Sequence, residues 1–422
     1  MNAPVVPSSW QSRIVADLQE IGVLLVEDGN HGEYRPLPHE FTDQGVAFIR
    51  AADMDAHGVV RFDTASRINA EARQRIRKGI GAPGDVLLSH KGTVGKVAFA
   101  PANAPEFVCS PQTTFWRVLD ERVLDRRYLF CFLRSSYFHE QLASRKGETD
   151  MADYVSLTVQ RTFSVVLPPI GEQQAIAEVL GALDDKIELN RRTSATISEF
   201  SRSAFGVFFE EPVSASHWPT RTVGECVMVL GGSTPSTSDS SFWDDGRFCW
   251  ATPKDLSQLS APVLLDTERR ITDAGLARIS SGLLPAGTLL LSSRAPIGYL
   301  AIAEVPVAVN QGFIAIRCTD ALPNLFMLRW LERSHEEILA RANGSTFLEI
   351  NKANFRAMPI VVPPRDRMDA FMSVVSPMHE RLVFLERESR VLSALRDDLL
   401  PRLVSGQLRI PDAEHALAEA GV

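Results

Sequence analysis

The sequence predicts an α/β (α+β) chain organised as a tandem internal repeat, with two similar globular domains separated by two long, coiled-coil-like helices. Three observations predict it. Two double-proline segments, Leu167-Pro168-Pro169 and Val362-Pro363-Pro364, stand 195 residues apart, and each launches an apolar pattern spaced like a heptad seam. The run from Gly84 to Gly95 (GDVLLSHKGTVG) aligns at a shift of 203 with Gly287 to Gly298 (GTLLLSSRAPIG). Between these landmarks the chain reads as short β-branched runs punctuated by turn residues.

The first domain is assigned to residues 1–166. A short helix over Ile14–Ile21 leads into strands at Gly22–Glu27, Val46–Ile49, Asp85–Leu88, Gly95–Phe99 and Thr114–Val118, with turns at Asp28-Gly29 and Asp43-Gln44-Gly45. One helix is expected over Asp125–Arg145, burying Tyr128, Phe132 and Leu133, followed by an exposed Lys146-Gly147-Glu148-Thr149 loop. The first spacer helix is assigned to 167–212. Ile176, Leu180, Leu183 and Ile187 are spaced 4, 3, 4, and the register continues through Asn190, Ser194, Ile197, Ser201, Ala204 and Phe208. That is a seam for one partner helix rather than a broad globular face. At ~1.5 Å per residue, a helix from about 172 to 208 is ~55 Å long. Asn190 is the polar seam residue expected to set register.

The second domain is assigned to 213–361 and repeats the order of the first. Arg67-Ile68 matches Arg270-Ile271, Gln112 pairs with Gln311 across a short gap, and Lys146-Gly147 has a counterpart in Asn343-Gly344-Ser345-Thr346. The second spacer helix is assigned to 362–408, with the seam Phe371, Val375, Met378, Leu382, Leu385, Ser389, Leu392, Leu399 and Leu403. Pro377 predicts a kink or a late start, because proline removes one helical hydrogen bond. Residues 409–422 form a C-terminal tail.

Composition bounds the function. The charged fraction of 23% and hydrophobic fraction of 45% are those of an ordinary soluble protein. No apolar run reaches the ~18–20 residues of a membrane span, and Met1–Trp10 lacks a basic-then-apolar leader, so a cytoplasmic location is expected. The five cysteines are scattered without a CxxC pair and read as reduced and structural. The formal charge of −8 argues against a surface that is basic throughout. The excess acid falls in the helical segments, so neither domain is barred from presenting a basic face.

No catalytic constellation is found. The segment ending Gly95-Lys96 fails as a phosphate loop, since His90 stands at the first glycine, Val97 follows the lysine, and Tyr299 replaces the lysine in the second copy. A strand-turn-strand with glycine at a positive-φ position explains it better. There is no dinucleotide fingerprint, no Asn-Pro-Pro-aromatic tetrapeptide and no metal spacing among the nine histidines, and Asp244-Asp245 reads as a solvated turn. Nucleic-acid contact is the sharper candidate. Ser89, His90, Lys91, Thr93 and Lys96 on one loop, and Ser292, Ser293 and Arg294 on its repeat, offer hydroxyls and cations suited to phosphate and groove-edge contacts. Gln112, Gln311, Thr234 and Ser236 join them, the latter two within the run Gly231-Gly232-Ser233-Thr234-Pro235-Ser236-Thr237. Arg73, Arg75, Arg77 and Lys78 form a basic cluster. Each signal alone is also what a solvated surface provides; recurrence of the loop in both copies tips the balance.

These residues resemble a known family. LPPIGEQQAIAEVLGALDDKIELNRR, the second double proline with its helix, and LRDDLLPRLVSGQL lie between two variable units, as in the specificity subunit of type I restriction–modification enzymes. TPSTSDSSFWDDGRFCWATPKDL is similar to the opening of many target-recognition domains. The resemblance covers about residues 15 to 410, with one departure: Arg365-Asp366-Arg367-Met368-Asp369 lacks the usual Glu-Gln-Gln. It implies two target-recognition domains that each read one half of a split site in double-stranded DNA, and two spacer helices packed antiparallel. It implies docking of two methyltransferase subunits, which bring S-adenosylmethionine and adenine-N6 chemistry, and of two restriction subunits with ATP and Mg. The specificity subunit itself binds no cofactor or metal and catalyses nothing. Two other readings stand beside it: the DNA-targeting subunit of another methyltransferase system, and a coiled-coil scaffold that binds no DNA.

Overall fold

A computed structural model of the chain describes residues 7–145, 153–210, 218–294, 296–343 and 348–421. The loop expected at Lys146-Gly147-Glu148-Thr149 and its counterpart Gly344-Ser345-Thr346 lie outside the described residues. The chain divides into two compact units, Met1–Lys186 with Leu392–Val422, and Ile187–Val391.

The first unit contains a four-stranded antiparallel sheet in the order Leu24–Asp28, Thr113–Val118, Val86–Ser89, Val97–Phe99. A second sheet runs Phe41–Thr42, Arg67–Ile68, Val46–Ile49, Phe107–Cys109, Ile80–Gly81, with Val46–Ile49 and Phe107–Cys109 parallel. Ala47, Ile49, Leu87, Ala98, Phe107 and Phe115 form a shared core between the sheets. All of Val86–Ser89 is buried, so this central strand is covered on both faces and reads as a continuous apolar run. Helix Arg126–Arg134 covers the outer face. The single helix expected over 125–145 is two, Arg126–Arg134 and Ser136–Ser144. Ser135 breaks it: its backbone is extended, and its hydroxyl donates to Phe132 O (2.7 Å) and accepts from the Phe138 N–H (3.3 Å), capping the second helix.

The second unit repeats this plan. One sheet orders Met228–Leu230, Phe313–Arg317, Leu289–Ser292, Leu300–Ala303 and Val263–Leu264; the other orders Arg269–Ile271, Phe248–Ala251 and Val307–Val309, the last two again parallel. Leu290, Ala301, Val307 and Phe313 fill the space between the sheets, while Leu289, Leu291, Ile302 and Ile314 face the side covered by helix Asn324–Arg333. In each unit the strand before the double proline pairs with the unit's opening strand: Gln11–Ile14 with Ser164–Leu167, and Thr220–Thr222 with Pro359–Val361. The prolines then end strand pairing, because they have no N–H to donate.

The long helices, Ile170–Phe209 and Arg365–Val404, have 40 residues each, ~60 Å of α-helix. The second begins at once after Pro364 and continues past Pro377, so it has no late start. In the first unit Ile176, Leu180, Leu183, Leu392, Leu399 and Leu403 are buried. There Asp184 accepts from Arg134 (2.6 Å) and Arg396 (2.9 Å). Gln173, also fully buried, accepts from the Asp125 N–H and donates to the carbonyls of Val123 and Pro168. Met368 holds the corresponding place in the second unit and is packed into an apolar core, so the missing glutamine exchanges a hydrogen-bonded clamp for a hydrophobic one.

In the second unit Ile187, Phe371, Val375, Leu382 and Leu385 are buried, and Ile197 and Met378 are half-buried. The Asn190 amide donates to Glu388 Oε2 (2.6 Å) and Ser389 Oγ (3.3 Å), Ile197 packs beside Leu382, and the Phe205 ring lies 6.1 Å from that of Phe371. Numbers that rise along one helix fall along the other, so the pair is antiparallel. The C-terminal tail contains a helix, Ile410–Ala420, that buries Ala413 and Leu417.

Candidate nucleic-acid interface

In each unit four chain segments converge on one surface in the same register. The hairpin from Val86–Ser89 to Val97–Phe99 turns through residues 90–96, with Gly95 at φ +102°; its repeat turns through 293–299, with Gly298 at φ +111°. This backbone region favours glycine, and a hairpin rather than a phosphate loop occupies the segment. Ser89 closes the turn, its hydroxyl accepting from the Lys96 N–H at 2.8 Å. Ser292 does the same with Tyr299 at 2.8 Å and also donates to Pro296 O. The turn is pinned from two sides: His90 N–H donates to Gln112 O and Val155 N–H to His90 O, while Ser293 N–H donates to Gly312 O and Ile350 N–H to Ser293 O. The backbone equivalent of Gln112 is therefore Gly312, one residue beyond the expected Gln311.

The fourth segment is placed by a glycine. A Cβ on Gly29 would sit 1.8 Å from Ser110 O, and one on Gly232 would sit 1.7 Å from Val309 O. Only glycine permits this approach, after which Asn30 N–H donates to Cys109 O and Ser233 N–H to Val309 O.

On this frame the expected residues separate by exposure. Lys91, Thr93 and Gln112 are exposed in the first unit; Thr234, Ser236 and Gln311 are exposed and Arg294 half-exposed in the second. Ser89, His90, Ser292 and Ser293 are buried, serving the turn itself. Lys96 is committed to the carbonyls of Ala51 and Met54, at 3.0 and 3.1 Å. In the basic cluster Arg73 is paired with Glu106 and Arg75 with Glu40, leaving Arg77 and Lys78 exposed.

Several residues at this surface are ones the sequence reading missed. Lys91 lies over the Tyr154 ring (5.9 Å), and Arg294 lies 3.7 Å from Glu349, the residue 195 positions beyond Tyr154. Asp28 sits 3.3 Å from His31 and 3.6 Å from His90, where the second unit has Gly231, Thr234 and Ser293. The repeat shifts of 195 and 203 would have flagged each. Burial pulls the His90 pKa down and pushes that of Tyr154 up, Asp28 opposing the first shift and adding to the second. Thr234 Oγ1 donates to Gln311 Oε1 at 2.5 Å, tying two exposed loops together. The surface offers amides, hydroxyls and cations on rigid turns, the groups that hydrogen-bond phosphates and base edges. Among the described residues no group of histidine, cysteine and acidic side chains is placed to hold a metal ion, and Asp244-Asp245 lies on a turn with Asp245 at φ +57°. No helix is long and apolar enough to cross a membrane among the described residues.

A family model described as the type I restriction modification DNA specificity domain matches residues 7–199 and 215–369. The type I restriction enzyme MjaIX specificity subunit of Methanocaldococcus jannaschii is 32% identical over 184 residues, 43% of this chain and 42% of that protein, so this match spans less than half of the relative's length. The HindI specificity subunit of Haemophilus influenzae is 21% identical over 86% of this chain and 94% of its own. Among solved structures, the S subunit of a type I restriction-modification system from M. genitalium matches with a TM-score of 0.58 at 16% identity, covering 95% of this chain and 99% of that one, a likeness of fold.

Proposed function

The chain belongs to the type I restriction–modification DNA specificity family, and on that premise we propose that it selects the DNA site on which a methyltransferase complex acts, reading one half of a bipartite duplex sequence with each repeat. The observation that carries this reading is the duplicated surface: four segments in identical hydrogen-bond register, presenting different side chains in the two copies. A repeated frame with divergent loops is what two readers of unlike half-sites require. The spacer helices, by virtue of their continuous helical build, hold the separation between the half-sites better than a flexible linker would.

In this reading Lys91, Thr93 and Gln112 contact the first half-site, and Thr234, Ser236, Arg294 and Gln311 the second. Ser89, His90, Ser292, Ser293 and Lys96 act by shaping the turns. The chain performs no catalysis and works in the cytoplasm. Two methyltransferase subunits bring S-adenosylmethionine and the adenine-N6 active site, and two restriction subunits bring ATP-driven cleavage. Buried seam residues such as Leu180, Leu382 and Leu385 hold the spacer. Half-site exchange tests the reading. In the methyltransferase complex, Lys91→Ala should weaken or relax recognition of one half-site about 10-fold while leaving the other unchanged, and Arg294→Ala should do the converse, each removing ~1–2 kcal/mol. Methylation assays on duplexes mutated in either half check this; equal effects of both variants on both halves would refute it.

A further inference from the structure

The two units differ sharply at one place beside this surface. In the first, the Arg75 guanidinium is forked on Glu40, at 2.7 and 2.6 Å, and its charge is neutralised within the fold. The same backbone bond identifies the counterpart of Glu40: Asn69 N–H donates to Glu40 O, and Thr272 N–H donates to Phe242 O. Phe242 thus replaces the carboxylate. Arg278, which like Arg75 precedes a buried isoleucine, lies over the Phe242 ring at 5.6 Å. Next to it Arg269, where the first unit has Ser66, lies over Trp243, its guanidinium carbon 3.6 Å from the ring centroid. Trp243 is itself fixed by the edge of Trp250 at 4.9 Å.

Both arginines are exposed, and among the described residues neither is paired with a carboxylate. Neighbouring acids are engaged elsewhere: Asp273 with Arg247, Asp266 with Arg270 and Arg390, and Asp239 with Ser241. Asp244 and Asp245 stand exposed on the adjoining turn. A guanidinium stacked on an aromatic face keeps its in-plane N–H donors free and loses little entropy when they bind an oxyanion.

The patch is continuous with the candidate interface. Ser233 Oγ donates to Arg278 O, Trp243 Nε1 donates to Ser236 O and Trp250 Nε1 to Ser233 O, so the exposed Ser/Thr loop that carries Thr234 and Ser236 is stapled to the arginine-bearing segments. We propose that Arg269 and Arg278, placed over Trp243 and Phe242, form a phosphate clamp through which the second unit grips the duplex backbone beside its half-site. The inference rests on the DNA-reading function proposed above. It gives the second unit two backbone cations where the first has Ser66 and an Arg75 already paired with Glu40.

Salt dependence tests it, since removing one cation from a phosphate lowers the slope of log K against log salt by ~0.9. Binding of the full methyltransferase complex to a duplex bearing its site is measured across salt concentrations for the parent, Arg269→Gln, Arg278→Gln, the double variant and Arg269→Lys. Each glutamine variant should lower the slope by about 0.9 and the double by about 1.8, equally on site and non-site DNA, while Arg269→Lys retains the slope. Unchanged slopes in variants that still bind the site overturn the clamp and leave the wider function standing. Loss of complex assembly on gel filtration with an unchanged DNA slope also overturns it, and assigns the patch to a protein partner. A parent complex that shows no salt-dependent DNA binding overturns both readings.

Discussion

His90 shows how a residue that resembles a contact group acts from beneath the surface. Its Nδ1 lies 3.1 Å from Val155 O, so the ring donates there and the neutral form leaves a lone pair on Nε2. That lone pair faces Asp28 Oδ1 at 3.6 Å. Burial is the larger influence and holds the His90 pKa below the ordinary histidine value, with Asp28 opposing it. The folded state then binds fewer protons than the unfolded chain. The stabilisation is present above the unfolded value, ~6.5, and is lost as pH falls below it toward the lower folded value. His139 is shifted in the same direction by its own burial. His90→Gln, which retains a donor for Val155 O, should therefore flatten the decline in melting temperature between about pH 6.5 and 5 without abolishing it. A decline as steep as the parent's would contradict the assignment.

At the scale of elements, the helices are held by a few polar contacts set among apolar ones. Asp184 receives both Arg134 and Arg396, and Arg396 is 7% exposed. Arg396 keeps Asp397 as a second partner, at 2.8 and 2.9 Å, so losing Asp184 strands chiefly Arg134; Asp184→Ala should cost about 2 kcal/mol, read as a lower midpoint in urea, and a change under about 0.5 kcal/mol, the value of an exposed pair, would contradict this. Asn190 meets Glu388 and Ser389, whereas Ser194 Oγ, one turn on, has no hydrogen-bond partner among the described residues. The duplication is thus asymmetric at its seam. Much of this was legible in the sequence, because a seam and a repeat are periodicities. The helix break at Ser135 was not, since the apolar stripe continues across it and only the capping bonds of that serine end one helix and start the next. The site was half legible for a related reason. A serine that closes a hairpin and a serine that meets a phosphate are the same residue type on the same loop. Burial separates Ser89 from Thr93, and burial is a tertiary property. Gly29 read only as part of a turn and Gly232 as part of a Ser/Thr run, because their role is a close approach to Ser110 and Val309, far away in sequence.

The whole molecule combines a duplicated frame, divergent exposed side chains and two 40-residue helices. In the proposed reading a chain of formal charge −8 meets DNA through cations on a few defined turns, with partner subunits supplying further phosphate contact. In the proposed function this chain designates a split DNA site for adenine-N6 methylation by its partners. The most direct test is a single-molecule methylome of the host with and without the gene, the methyltransferase subunit being expressed in both. Deletion should remove N6-methyladenine from one motif, made of two half-sites with a fixed gap, and leave every other motif unchanged. Loss from an undivided motif, or from none, would contradict it.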